Sequence, residues 1–221
     1  MNRMRLFSFL VILAGCGTSQ VQSTELSGSV LMGYNGGPGF KVGGMVSRFA
    51  KGFPLSIELA VGYTRMDPGD PLEARKIFIN DNTNGTPEES GFAWDLRLDF
   101  LYKTALAGIQ DLSIVAGVRR SMFTGDFKYV GGNEDFEVIS NQWGLGVGAR
   151  AQFPISSHVG FLVTAGCDYY FKSSLEGHDT EYTPENENVN GREGYTFSDA
   201  DAAIHQPGFA PVGMIGISVG F

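Results

Sequence analysis

Along most of this chain apolar and polar residues alternate with a period of two, the pattern of β-strands that bury one face. In "FPLSIELAVGYT", Leu55, Ile57, Leu59, Val61 and Tyr63 face away from Ser56, Glu58, Ala60, Gly62 and Thr64. In "GFAWDLRLDFLYK", Phe92, Trp94, Leu96, Leu98, Phe100 and Tyr102 oppose a face that carries Asp95, Arg97 and Asp99. "NQWGLGVGARAQF" and "VGFLVTAGCDYYF" repeat the arrangement, with Arg150 and Asp168 on their polar faces. "DLSIVAGVRRSM" follows it less cleanly. "LSGSVLMGY" and "FKVGGMVSRF" are so rich in glycine that their faces cannot be assigned. With the closing "GMIGISVGF", the pattern predicts eight strands and an all-β fold.

The connections carry a second periodicity. From the second hairpin onward, tight turns ("AKG", "ALAGIQ", "PISSH") alternate with longer polar segments at about residues 66–90, 125–137 and 173–206. The strands run to about ten residues, the length of a tilted membrane crossing rather than of an average soluble strand. Their polar face does not read as a solvent face. It mixes Gly, Ala, Ser and Thr with isolated charges at Glu58, Asp95, Arg97, Asp99, Arg119, Arg150 and Asp168. Apolar outside and polar inside is the inverted pattern of a membrane barrel. Aromatics fall in two belts: Phe53, Tyr102, Phe153, Phe161 and Phe221 near the tight turns, and Tyr63, Trp94, Trp143, Tyr169 and Phe171 near the long connections. Interfacial girdles look like this. The expected fold is an eight-stranded antiparallel up-and-down transmembrane β-barrel over residues 24–221, its termini on the periplasmic side.

The two ends of the chain add an address. "MNRMR" followed by "LFSFLVILAG" reads as a signal peptide over residues 1–15, its apolar core too short to span a bilayer as a helix. Cys16 lies in "LAGC", which looks like a bacterial lipobox and would make Cys16 the lipidated first residue; cleavage further on, up to about residue 23, is the alternative. Gly216, Val219 and Phe221 fit the Gly-x-x-apolar-x-Phe ending by which outer-membrane barrels resemble one another, although Met214 stands where that pattern has a polar residue. The mature chain resembles the small eight-stranded outer-membrane barrel proteins of Gram-negative bacteria, of the OmpA/OmpX type. That resemblance implies assembly by the barrel-assembly machinery, with Gly216, Val219 and Phe221 as the signal, and contact with outer-membrane lipid and lipopolysaccharide.

Composition narrows the chemistry. A net charge of −8 argues against nucleic acid as a partner. The 31 glycines, about twice the usual share, point to close backbone packing or sheet bends. With Cys16 acylated or removed, Cys167 has no disulfide partner. "NDNTNG" at 80–85 lacks the bidentate Glu of a calcium loop, so no metal or cofactor is expected. Ser157 and His158, if extended, would point to opposite faces, and no strand pairs Ser with His on its lipid side, so no catalytic residues are expected. The three long connections sum to a charge of −14. The expected function is non-enzymatic: a rigid barrel that mounts acidic extracellular loops. The alternatives are a lipid-modifying outer-membrane enzyme and a lipid-tethered, lipocalin-like ligand-binding barrel. A charge inside a packed barrel needs a partner, and levelling adjacent strands by their aromatics pairs Glu58 with Arg97 and Asp95 with Arg119.

The lipobox reading makes a direct prediction. Cys16→Ser should leave an unprocessed precursor on a gel, and labelled palmitate should mark the wild type alone; a mature N-terminus beginning downstream of Cys16 refutes lipidation.

Overall fold

The computed structural model describes residues 24–106, 109–132 and 134–221; the signal peptide and Cys16 lie outside them. The eight barrel strands are β1 (Glu25–Asn35), β2 (Pro38–Ser47), β3 (Leu55–Met66), β4 (Thr86–Leu106), β5 (Ile109–Val130), β6 (Asp135–Pro154), β7 (Val159–Tyr170) and, after two short strands introduced below, β10 (Phe209–Gly220). Each is antiparallel to its neighbours in sequence, and β10 returns to pair with β1 from Ser27↔Gly220 to Asn35↔Val212. That last pairing closes the sheet.

Outside, Val30, Met32, Leu59, Val61, Leu96, Leu145 and Ile215 are exposed, while Glu58, Asp95, Arg97 and Asp99 are buried. The glycine-rich β1 and β2 take their faces from this closure: Met32 and Val42 point outward, Leu31 and Lys41 inward. On the outer surface, Tyr63 stacks on Phe40 at 5.6 Å and meets Trp94 edge-on at 5.0 Å. At the turn end Phe153 lies 6.5 Å from Phe161. Some glycines are needed where charged side chains press on the wall. A Cβ at Gly146 would come 2.1 Å from the Asp168 carboxylate and 2.2 Å from the Arg119 guanidinium.

The long connections depart from the expected loops. Residues 66–90 hold helix α1 (Pro71–Phe78) and the start of β4. Residues 125–137 are mostly strand, so β5 and β6 run to 22 and 20 residues. Residues 173–206 contain β8 (Leu175–Gly177), β9 (Thr180–Tyr182) and helix α2 (Phe197–Ala203). The upper parts of β4, β5 and β6 stand as a wall; along β5, residues 123–130 add roughly 25 Å at about 3.3 Å per residue. In that wall the polarity of the strands inverts. Within the barrel β5 turns Arg119 and Ser121 inward and Val118 outward. Higher up it turns Phe123, Phe127 and Tyr129 inward, and Thr124, Asp126 and Lys128 away from the core. The inner face of the wall, α1, α2, β8 and β9 share one apolar core that includes Ile77, Phe78, Phe127, Phe136, Val138, Tyr182 and Ile204. A folded cap therefore covers this end of the barrel.

Local chemistry explains α1. Asp70 accepts from the N–H groups of Leu72 (2.9 Å) and Glu73 (3.1 Å), Pro71 opens the first turn, and Ala74, Ile77 and Phe78 form the buried stripe. Gly69 has φ +122° and lies against the Ala203 carbonyl, where a Cβ would come within 2.0 Å; it lets residues 68–70 cross the mouth beside residues 203–205. Asp70 N–H then donates to Ala203 O (2.8 Å) and His205 N–H to Pro68 O (3.1 Å). One buried cation ties α1 to the wall. Arg75 pairs with Glu134 at the β5–β6 tip, lies 4.1 Å over the Tyr129 ring, and donates to Asn84 O (2.8 Å).

Arg75 is fully buried, but Glu134 stays partly exposed and keeps a hydrogen bond from Asn80 (2.7 Å), so Arg75→Ala should cost the cap about 2 kcal/mol. Limited proteolysis should then cut faster within residues 71–85, while the heat resistance of the barrel stays as in the wild type. Unchanged cutting removes Arg75 from its anchoring role.

Candidate functional site

The barrel interior holds four cations and four carboxylates, all at most 5% exposed: Lys41, Arg97, Arg119 and Arg150 with Glu58, Asp95, Asp99 and Asp168. Ladder register sets like beside like. Glu58 sits opposite Asp99 on β4, and Arg97 opposite Arg119 on β5. All of these charges but Asp95 find partners off the direct ladder register, in two clusters.

Toward the turn end, Glu58 accepts from Lys41 Nζ (3.0 Å) and from both terminal nitrogens of Arg150, with Nη2 at 2.9 Å from Oε1. Toward the cap, Asp168 takes Arg97 Nη2 at 2.8 Å and Arg119 Nε at 2.9 Å, while Arg119 Nη1 also reaches Asp99 at 2.7 Å. The Asn35 amide is wedged beside them; with its nitrogen toward Asp168 (3.2 Å) and its oxygen toward Arg97 Nη1 (3.3 Å), both ends are satisfied. Glu58–Arg150 and Arg97–Asp168 each join strands three places apart around the ring, so both cross the lumen.

This pairing corrects the levelled expectation. Glu58 meets Arg150 and Lys41 instead of Arg97, and Arg119 meets Asp99 and Asp168 instead of Asp95. Lys41–Glu58 and Arg119–Asp99 are still pairs between adjacent strands, displaced from the ladder register, whereas Glu58–Arg150 and Arg97–Asp168 reach across the narrow lumen. Asp95 sits opposite Ser121, with no cation within salt-bridge reach among the described residues. Lys41, Asn35 and Tyr170 are interior residues that the sequence reading missed, while Gln142 lies inside on the polar face where the alternation with Trp143 puts it. For Lys41 the signal was there, a lysine between Gly39 and Gly43 with Phe40 and Val42 as its flanking neighbours.

Polar contacts join core to cap. Gln142 Nε2 donates to Pro207 O (2.7 Å) and Phe171 O (3.2 Å), and Ser140 Oγ to Gln206 Oε1 (2.8 Å). Within the cap, Arg192 donates to Asp81 (2.8 Å) and holds that carboxyl below the usual carboxylate range. At the opposite end the barrel opens into a vestibule of about 570 Å³, lined by Ser27, Ser47, Ser56, Ser113, Gln152 and Ser218, with Arg150 among its lining residues. Ser157 Oγ and His158 Nδ1 lie 2.8 Å apart at its rim, since the chain turns there instead of staying extended. Both are exposed, and among the described residues no carboxylate reaches His158.

The fold has a solved counterpart. A major outer membrane protein from Thermus thermophilus is 25% identical, with a TM-score of 0.72 over 90% of this chain and 100% of that chain. The chain is an eight-stranded outer-membrane β-barrel protein. Neisserial surface protein A, NspA, is 11% identical, with a TM-score of 0.40 over 90% of this chain and 97% of that one. No protein-family model matches this outer-membrane barrel, and no curated protein does. Gly216, Val219 and Phe221 lie in and just past its last strand, where Phe221 is 85% exposed and its N–H donates to Leu26 O (2.9 Å).

Double-mutant cycles should separate true partners from neighbours. Glu58→Gln with Arg150→Met should show a coupling above about 1 kcal/mol in urea unfolding, and Glu58→Gln with Arg97→Met less than about 0.5 kcal/mol. Equal couplings in the two cycles would contradict the cross-lumen assignment.

Proposed function

We propose that this outer-membrane barrel protein is non-enzymatic and serves as a rigid mount that presents a folded acidic cap at the cell surface, with both termini in the periplasm. The observation that carries this reading is the cap's own hydrophobic core, seated on a barrel braced by buried ion pairs. Disordered decoration needs no such core. The connections that build the cap bring most of its negative charge, which suits association with divalent cations beside anionic lipopolysaccharide. The periplasmic side takes the tight turns, the Gly216–Val219–Phe221 signal for the assembly machinery, and the start of β1, to which a lipid on Cys16 would be tethered.

Protease added to intact cells should cut only within the cap segments, and slowly there; cleavage at residues 50–52 or 155–158 overturns the orientation. The mass spectrum of lipid A should be the same with and without the protein. A modified lipid A that appears with the protein replaces the structural role with an enzymatic one.

A further inference from the structure

Charge is unevenly spread inside the barrel. Lys41, Arg97, Arg119 and Arg150 carry four positive charges, and the carboxylates that pair with them, Glu58, Asp99 and Asp168, carry three negative ones. Asp95 would complete the balance, yet it stands outside both clusters. The direct ion pairs of the two clusters thus set four positive charges against three negative ones, while Asp95 lies near Arg97 without pairing with it.

Between them lies a small cavity of about 20 Å³, whose lining includes those four cations, Asp99, Asp168 and Thr164. Its size suits one water-sized species. Its lining is rich in donors that have no acceptor. Arg97 and Arg150 are each 5% exposed and each keeps its buried Nε–H without a hydrogen-bond partner among the described residues; the buried Thr164 hydroxyl does the same. Leaving a buried charged donor unmade costs more than leaving a neutral one. A species that accepts from several donors at once and carries one negative charge would answer both deficits.

We propose that the barrel core binds one small monovalent anion, chloride in the first instance, in the cavity between Lys41, Arg97, Arg119 and Arg150. Sulfate and phosphate are too large for the space. Arg150 lines both this cavity and the 570 Å³ vestibule, so the anion reaches its site from the turn end, past the Arg150 guanidinium. The ion then acts as a structural member of the network and joins the turn-side cluster to the cap-side one.

The test uses the full-length protein in detergent micelles. Its thermal midpoint should rise with the logarithm of sodium chloride concentration and stay lower in sodium gluconate of equal concentration, since gluconate cannot enter. Thr164→Asp places a carboxylate in the cavity; its midpoint should become independent of the choice of salt and match the wild type in chloride. That variant also separates a bound ion from a general salt effect, which it would leave intact. Crystals grown in sodium bromide should show an anomalous peak in the cavity, near the Nε atoms of Arg97 and Arg150. Equal wild-type midpoints in the two salts, or no bromide peak in the cavity, overturns the proposal in favour of a single water. If Thr164→Asp fails to fold, the bromide map decides alone.

Discussion

Hydrocarbon offers a peptide group no hydrogen-bond partner, and in this protein that constraint requires β10 to pair with β1. Closure has two consequences. It fixes which residues of the glycine-rich first strands face lipid. It also creates a lumen too narrow for bulk water, into which every alternate residue must fit. Bulky apolar residues go outward, small ones form much of the inner wall, and all but one of the charges that point inward are paired within a few ångströms.

The compensation spans the lumen more than it follows the wall. Adjacent strands set Glu58 beside Asp99 and Arg97 beside Arg119, arrangements that repel if left alone. Glu58–Arg150 and Arg97–Asp168 reach strands three places away, and Arg119 bridges two carboxylates. Such braces resist ovalisation of the barrel, because deforming the ring would separate buried charges. Gly146 belongs to the same device, since only a missing side chain lets Arg119 and Asp168 lie against the wall.

The cap solves a different problem with the same strands. Above the membrane β5 and β6 meet water on their outer face, so the inside-out pattern reverts to the ordinary one: Phe127, Tyr129, Phe136 and Val138 turn inward over the barrel mouth. One continuous strand thus serves two solvents, and its polarity inverts near Phe123. Arg75 fixes α1 against the wall, and the Gly69–Ile204 crossing ties residues 68–70 to residues 203–205. Barrel and cap are joined by the hydrogen bonds of Gln142 and Ser140.

Much of this was written locally. The period of two, strand lengths near ten, alternating turn lengths and paired aromatic belts specify a closed barrel, because each is a response to lipid that one strand or hairpin must satisfy by itself. The start of α1 was legible too, in Asp70, Pro71 and the spacing of Ala74, Ile77 and Phe78, although a reading tuned to acidic loops passes over it. The extension of β5 and β6 was harder to see, since the change of apolar face breaks the membrane pattern where the strand continues. Ion-pair partners were not legible at all. Which carboxylate meets which arginine depends on where strands stand around the ring and how far side chains reach across it. Those distances exist only once β1 has closed on β10.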